Sequence, residues 1–189
     1  MSRSDESAFR QTERINMDTL DLVTPATALA DGYIDMCREE IAHDPRLVGI
    51  LPITRDELLP FFARWQAQQD TGDESTGGVP QSTYWLVRDG REVVGASRLR
   101  HRLTPGLDKT GGHIDYGVRP SERRKGYGTA LLRLTLEKAW LMGICEVLVV
   151  CRKENEPSMR VIERNGGVLV GELTRPSDGA RLLRYRISL

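Results

Sequence analysis

The 189-residue chain is poor in the features that mark disulfide-bonded, nucleic-acid-binding and membrane-spanning proteins. It has three cysteines, too few and too odd a number for a disulfide framework, which favours a reducing compartment. Its 27 basic and 27 acidic side chains cancel, whereas binding to nucleic acid or to an anionic membrane depends on excess positive charge. No apolar run approaches the ~18 residues of a membrane span. We therefore expect neither nucleic acid nor membrane as a partner.

The N-terminal stretch MSRSDESAFRQTER lacks the apolar centre of a signal peptide, so we expect a cytoplasmic protein. The stretch is also polar and without periodicity, and residues 1–14 are predicted to be a disordered arm. Residues 15–189 are predicted to form one domain. No cluster of His, Cys and carboxylate side chains has the spacing of metal ligands, so no metal site is expected.

Hydrophobic periodicity and turn residues predict the element order β-α-α-β-β-β-α-β-α-β-β. This order indicates a single α/β domain, with helices on a mixed and largely antiparallel sheet. Asp89-Gly90 predicts a tight hairpin turn. Residues 70–81 are predicted to be a linker and residues 103–112, LTPGLDKTGG, a loop.

The second predicted helix begins at Thr54, because Thr54 and Glu57 have the spacing of a capping box. Pro60 lies inside it and predicts either a kink or two shorter pieces. The three tryptophans are expected in the core, and they are Trp65, Trp85 and Trp140.

The segment RRKGYG, residues 123–128, places three cations and two glycines before a leucine-rich helix. A helix start has unpaired N–H groups and a partial positive charge, and glycines let a ligand approach the backbone. The segment therefore favours a phosphate or pyrophosphate site, with a solvated turn as the alternative. It fits neither G-x-x-x-x-G-K-[ST] nor G-x-G-x-x-G, which argues against the usual nucleotide and dinucleotide loops.

The same segment resembles the R/Q-x-x-G-x-G/A loop of the GCN5-related N-acetyltransferases, which binds the pyrophosphate of acetyl-CoA. Other features match in order over residues 84–170. The preceding strand ends in Val118-Arg119-Pro120, similar to the family's V-x-P. A buried strand, VLVVC, follows the leucine-rich helix, and Asn155-x-x-Ser158 then opens a helix that ends in ERNGG.

The resemblance implies a sheet that splays open after Val118 to admit coenzyme A. It also implies acetyl-CoA as the acyl donor, no metal, and an amine of a small molecule or peptide as the acceptor; it allows a homodimer. Backbone groups from Tyr116 to Val118 would bind the pantetheine arm, and the amides of residues 124–129 the pyrophosphate. The cofactor-binding residues implied are Tyr116, Val118, Arg123, Arg124, Lys125, Gly126, Tyr127, Gly128, Thr129 and Asn155.

The attacking amine must be neutral, and deprotonating a lysine-like amine at pH 7 costs roughly 4.6 kcal/mol. His113 and Asp115, two residues apart on one strand, share a face and are the predicted bases. Alternatively, His113 bonds only backbone and Asp115 only pairs with an arginine. Ile162 stands where many family members have a tyrosine that protonates the departing thiolate. Ser158 resembles a serine that ribosomal-protein acetyltransferases use nearby, and is the third predicted catalytic residue, with helix capping as its alternative role.

Two other functions stay open at this point. The missing tyrosine leaves room for a non-catalytic module that binds acyl-CoA. The glycine loop alone would also suit a phosphate-binding protein outside the family. The resemblance assigns acceptor choice to the first two helices, the loop at residues 43–54 and the C-terminal hairpin, and none of these has a specific signature. Transfer of a longer acyl group is the nearest variant.

Overall fold

The computed structural model describes residues 19–70 and 78–189. The arm predicted at residues 1–14, the domain start predicted at residue 15 and residues 71–77 of the predicted linker lie outside the described residues. The helices and strands are β1 Leu20–Val23, α1 Ala30–His43, α2 Arg55–Asp70, β2 Gln81–Arg88, β3 Glu92–Arg100, α3 Pro105–Thr110, β4 Ile114–Val118, α4 Tyr127–Leu141, β5 Glu146–Arg152, α5 Glu156–Arg164, β6 Val168–Thr174 and β7 Arg181–Ser188.

The strands form two sheets with helices packed against them, which confirms the predicted α/β class. One sheet has the order β1-β2-β3-β4 and the other β5-β7-β6, and all paired strands are antiparallel. A bridge between Gly112 and Val149 joins the two sheets just before β4 begins. Within the described part of the chain no ladder continues along β4 to β5, so the sheets separate there.

The first sheet is covered by helices on both faces. Side chains alternate along β2 and β3, so neighbouring residues enter different cores. Leu86 packs with Leu131 of α4, while its neighbour Trp85 stacks on Tyr33 of α1 with ring centroids 4.5 Å apart. The rings around Trp85 form an aromatic cluster between the sheet, α1 and α2, made of Tyr33, Phe61, Phe62, Trp65 and Trp85.

Several local predictions are confirmed. Asp89 and Gly90 both have positive φ, 51° and 70°, and join β2 to β3 in a tight turn. Thr54 Oγ1 accepts a hydrogen bond from the Glu57 amide at 3.2 Å, as in a capping box. The Glu57 carboxylate reaches back to the amide of Ile53 rather than to that of Thr54. α2 runs as one element with Pro60 inside it, so the division into two pieces does not occur.

Two predictions were wrong. The segment predicted as a loop contains α3, whose first turn is capped by Thr104 Oγ1, an acceptor from the Leu107 amide at 3.3 Å. A six-residue helix is too short for hydrophobic periodicity to reveal it. Trp85 is fully buried, but Trp140 is 55% exposed because it lies on the outer side of the last turn of α4. In the described ranges no helix is both long and apolar enough to cross a membrane.

Candidate active site

A glycine in a left-handed conformation opens α4. Gly126 is the N-cap residue, with φ +88° and ψ −9°, and a Cβ built on it meets no atom within 4 Å. No side chain caps this helix start. Among the backbone bonds of the described residues, the amides of Arg124, Lys125, Gly126 and Gly128 have no carbonyl partner. The start of α4 therefore presents N–H groups to open space, as an anion site requires.

Two of the predicted loop residues, Gly128 and Thr129, also make structural contacts. The Thr129 amide donates to the Gly126 carbonyl at 3.0 Å, so it is engaged within the first turn of α4. Gly128 lies where α4 crosses α5, and a Cβ there would lie 3.2 Å from Cγ2 of Val161. The left-handed backbone conformation therefore accounts for a glycine at position 126, and close packing against α5 accounts for a glycine at position 128.

Most of the loop's positive charge is held in ion pairs. Arg123 donates to both carboxylate oxygens of Glu40 on α1, at 2.8 and 2.9 Å, and to the Val118 carbonyl at 3.1 Å. Lys125 Nζ pairs with Glu122 at 3.0 Å. Arg124 is exposed, has φ +65°, and forms no ion pair within the described part of the chain. Arg124 is therefore the loop cation best placed to meet a ligand.

Tyr127 points away from the loop surface into a buried network. Its hydroxyl accepts from Arg88 at 2.8 Å, and the same guanidinium pairs with Glu122, which is 8% exposed. Hydrogen bonds to Glu92 and then to Tyr127 raise the pKa of Arg88 further. This network holds the buried side of the loop in place, so the Tyr127 side chain helps to position the loop.

β4 turns half of its backbone groups toward the gap between the sheets. The Arg100 amide donates to the His113 carbonyl at 2.8 Å, and the Arg119 amide donates to the Val94 carbonyl at 2.9 Å. Because bonding alternates along an antiparallel pair, Tyr116 and Val118 direct their N–H and C=O groups away from β3. The Val118 carbonyl accepts from the Arg123 side chain, as described above. The backbone groups of Tyr116 are thus free of β3, and their assignment to the pantetheine arm stays a prediction.

The side chains of Tyr116 and Ser158 meet beside this edge. The Tyr116 hydroxyl lies 2.8 Å from Ser158 Oγ and 3.3 Å from the Ser158 carbonyl. Burial raises the pKa of Tyr116 to about 12, although the hydrogen bond with Ser158 opposes the rise. Asn155 Oδ1, not Ser158, caps α5, since it accepts from the Ser158 amide at 3.2 Å. The capping role weighed for Ser158 therefore belongs to Asn155.

His113 bonds backbone and Asp115 pairs with arginines, which are the two contacts expected if these residues are not catalytic. His113 Nδ1 accepts from the Leu148 amide at 2.9 Å, and burial lowers the pKa of His113. A neutral imidazole that accepts at Nδ1 has its proton on Nε2. Asp115 Oδ2 accepts from Arg98 at 2.6 Å and from Arg100 at 2.5 Å. Both residues are near the gap, and their assignment as bases stays a prediction.

The sequence did not predict the contact of the Tyr116 hydroxyl with Ser158. It allowed an arginine partner for Asp115 without identifying Arg98 and Arg100. The register of β3 and β4 pairs Arg98 with Asp115, but a connection of more than ten residues separates the two strands and hides that register. Ile162, at the place of the family tyrosine, is fully buried in the core. No group of three or more His, Cys, Asp or Glu residues within the described ranges is arranged to hold a metal ion.

The family model for the acetyltransferase (GNAT) family matches residues 50–167 of the chain. A comparison with curated protein sequences found no match. The solved structure of RimL, a ribosomal L7/L12 alpha-N-protein acetyltransferase in complex with coenzyme A, is 17% identical, with a TM-score of 0.66 over 90% of this chain and 94% of that one. MccE, a microcin C7 self immunity acetyltransferase in complex with acetyl-CoA and AMP, is 16% identical, with a TM-score of 0.64 over 92% and 94%. The yncA protein of Salmonella typhimurium with acetyl-CoA is 15% identical, with a TM-score of 0.58 over 91% and 95%. At these identities the structural likeness shows the fold.

Proposed function

Because the chain belongs to the acetyltransferase (GNAT) family, we propose that it transfers an acetyl group from acetyl-CoA to a primary amine of a small molecule or peptide. The observation that carries the proposal is the combination of a helix start with partnerless amides and an open strand edge. The helix start contributes the amides of Arg124, Lys125, Gly126 and Gly128. The strand edge contributes the backbone of Tyr116. Membership of the family removes the alternative of an unrelated phosphate-binding protein.

The residues of the loop fit the donor. The open space over Gly126 and the partnerless amides suit a pyrophosphate, and Arg124 supplies an exposed positive charge. The N–H and C=O groups of Tyr116 suit an amide-containing chain that runs along β4, such as pantetheine. Acetyl-CoA, when bound, supplies a thioester as the acetyl donor. The amide side chain of Asn155 has donors beyond its capping oxygen, which would face the same chain or a water.

Ser158 is the proton donor that we propose for the departing sulfur. Its hydroxyl lies 2.8 Å from the Tyr116 hydroxyl, which can replace the donated proton. The phenol is protonated at neutral pH, and burial raises the pKa of Tyr116 further, to about 12. The new C–N bond forms as the C–S bond breaks, the amine nitrogen loses one proton and the sulfur gains one, so no net proton is consumed. Solvent would return the proton taken from nitrogen to the Tyr116–Ser158 pair. Ser158 and Tyr116 together would protonate the departing thiolate, the role of the family tyrosine that Ile162 replaces.

The proton of the amine needs an acceptor, and Asp115 is the better candidate of the two predicted bases. Asp115 is partly exposed and its two ion pairs both use Oδ2, which leaves Oδ1 to face an amine or a water. His113 offers no lone pair while Nδ1 holds the Leu148 amide. We assign His113 to holding β4 against β5. General-base catalysis contributes typically 10²–10⁴-fold, so Asp115→Asn should reduce turnover within that range.

A non-catalytic acyl-CoA-binding module is the second candidate, since a core isoleucine occupies the usual position of the acid. Thermal unfolding and thiol release together separate the two candidates. Acetyl-CoA and desulfo-coenzyme A at 100 times Kd should each stabilise the fold by about 2.7 kcal/mol, whereas ATP should not. Thiol release from acetyl-CoA with any primary amine supports the enzyme, and binding without release on a broad amine panel supports the module.

The serine assignment has its own test. Ser158→Ala should lower kcat at least 10-fold while coenzyme A binds with unchanged Kd, because proton transfer and not binding is removed. Tyr116→Phe should lower kcat less, since Ser158 remains. Ser188→Ala, at an exposed position of β7, is the matched control and should leave both constants unchanged. Equal kinetics of Ser158→Ala and the control would contradict the assignment.

We propose a cytoplasmic site of action, in keeping with three cysteines that are all free thiols. A homodimer stays a prediction, which light scattering at several concentrations would test.

A further inference from the structure

The uncovered part of one sheet face lies directly beside the proposed donor site. α1 and α2 cover this face at Trp85 and Ala96, which belong to the aromatic cluster and its neighbours. Arg98 is the next residue of β3 on the same face, and Asp115 of β4 is its partner in the register. Their side chains are 43% and 42% exposed. An acceptor that reaches the open edge of β4 from this face meets these two side chains.

The charge of this region is positive. Arg98 and Arg100 share the single carboxylate of Asp115, so the cluster of Arg98, Arg100 and Asp115 has a formal charge of +1. Arg100 is largely buried, and it also donates a hydrogen bond to the Gly112 carbonyl at 2.9 Å. Within the described residues, only one nitrogen of the Arg98 guanidinium donates a hydrogen bond, and this is the Nη that pairs with Asp115. Arg98 therefore retains most of its donors.

Two buried donors in this neighbourhood have no acceptor. Nε of Arg98 and Nε1 of Trp85 are both inaccessible to solvent and lack a hydrogen-bond partner in the described part of the protein. A buried N–H without an acceptor costs roughly 1–3 kcal/mol, so such atoms are rare in stable proteins unless a ligand or water satisfies them. Because Nε of Arg98 is inaccessible although the side chain is 43% exposed, the donors left for a carboxylate are those of its Nη nitrogens.

The acidic side chains near the site do not offset this charge. Glu39 and Glu40, at the end of α1, carry the carboxylates that face the segment after β4. Glu39 accepts from Arg119 at 2.7 Å and Glu40 accepts from Arg123, so both carboxylates are already paired. Burial alone would raise the pKa of Glu39, but the hydrogen bonds from Ser121 and Arg119 lower it overall. A polyamine would thus meet net positive charge at the cluster.

From these contacts we infer that the acceptor is an amine that also carries a carboxylate, and that Arg98 binds this carboxylate. The inference rests on the proposed function and specifies its acceptor class. An α-amino acid is the simplest member of the class. Its carboxylate takes the open donors of Arg98, and its amine lies on the side of Asp115 and the open edge of β4.

Binding can be tested apart from turnover. The probes are the common α-amino acids, their carboxamides and spermidine, each measured by thermal unfolding at millimolar concentration with saturating desulfo-coenzyme A. At least one amino acid should stabilise the protein while its carboxamide and spermidine do not. Arg98→Gln should abolish that shift, Arg98→Lys should restore part of it, and the shift from desulfo-coenzyme A should stay unchanged in both variants. Arg133→Gln, on the exposed side of α4, is the matched control.

Turnover gives the second measurement. For the amino acids that bind, Arg98→Gln should lower kcat/KM by about 10- to 100-fold, chiefly through KM, because a charge-assisted hydrogen bond to the acceptor is lost. Stabilisation by spermidine or by the carboxamides equal to that by the amino acids would overturn the inference. So would the absence of any shift from the amino acids, while acetylation of other amines would leave the proposed function intact. Amino-acid binding without acetylation would instead contradict the proposed function.

Discussion

Substitution of Gly126 separates three effects at the start of α4. The residue has φ +88°, and a Cβ on it would meet no atom within 4 Å. Gly126→Ala therefore adds backbone strain without a steric clash, Gly126→Gln adds bulk over the exposed amides, and Gly126→Glu adds the same bulk with a negative charge. We expect Gly126→Glu to abolish measurable coenzyme A binding.

The magnitudes follow from this geometry. A left-handed conformation costs an L-residue roughly 1–2 kcal/mol, which lowers Tm by about 2–8 °C in a domain of this size. All three variants share that cost. A carboxylate ~5 Å from a phosphate charge is repelled by roughly 1–3 kcal/mol at an effective dielectric constant between 20 and 80. A pyrophosphate carries two such charges, which together give roughly 2–6 kcal/mol, so Gly126→Glu should bind coenzyme A at least ~30-fold more weakly than Gly126→Gln.

Calorimetric titration with coenzyme A at two salt concentrations measures these differences. The gap between the Glu and Gln variants should narrow at high salt, because screening weakens the repulsion. Urea unfolding without ligand should show similar stability for the two variants. If Gly126→Glu bound coenzyme A as tightly as Gly126→Ala, the pyrophosphate would lie elsewhere and the assignment of the loop would fail.

Two further substitutions test the neighbouring contacts. Burial lowers the pKa of His113 in the folded state, so the unfolded chain takes up more protons below pH ~6.5 and the free energy of unfolding should decrease as the pH falls from there. His113→Asn should flatten this decrease in urea unfolding at pH 7.5 and 5.5, and an unchanged pH dependence would show that His113 does not cause it. Asn155→Asp keeps the oxygen that caps α5 but loses the amide donors, so it should weaken coenzyme A binding with little loss of stability. Asn155→Ala should in addition cost ~1 kcal/mol of stability, and equal coenzyme A affinity in Asn155→Asp and the unmodified protein would limit Asn155 to capping.

The sequence was informative wherever a structure depends on residues close together in the chain. Asp89-Gly90 needs positive φ, and the turn it predicts joins β2 and β3. Thr54 and Gly126 likewise identify helix starts from a few neighbouring residues. The leucine-rich run predicted α4 because fifteen residues give a clear helical period.

The missed features depend on residues far apart in the chain. Tyr116 and Ser158 are 42 residues apart, and their contact exists only because α5 packs beside β4. Arg98 and Asp115 meet through a strand register that no turn residue specifies. Trp140 was expected in the core from its residue type, but the face that a helical residue presents depends on which side of α4 the sheet covers.

The salt bridges between α1 and the loop before α4 link the two substrates of the proposed reaction mechanically. Glu39 and Glu40 sit on the helix that borders the acceptor face, while Arg119 and Arg123 hold the segment that leads to the donor loop. If one ligand displaces α1, these ion pairs would transmit the displacement to the loop that meets the other ligand, and the two sites would be thermodynamically coupled. Such coupling is reciprocal: whatever factor the acceptor adds to the affinity for coenzyme A, coenzyme A adds to the affinity for the acceptor. We therefore expect changes of specificity engineered into α1 to alter donor affinity as well, even where no substituted residue touches the donor.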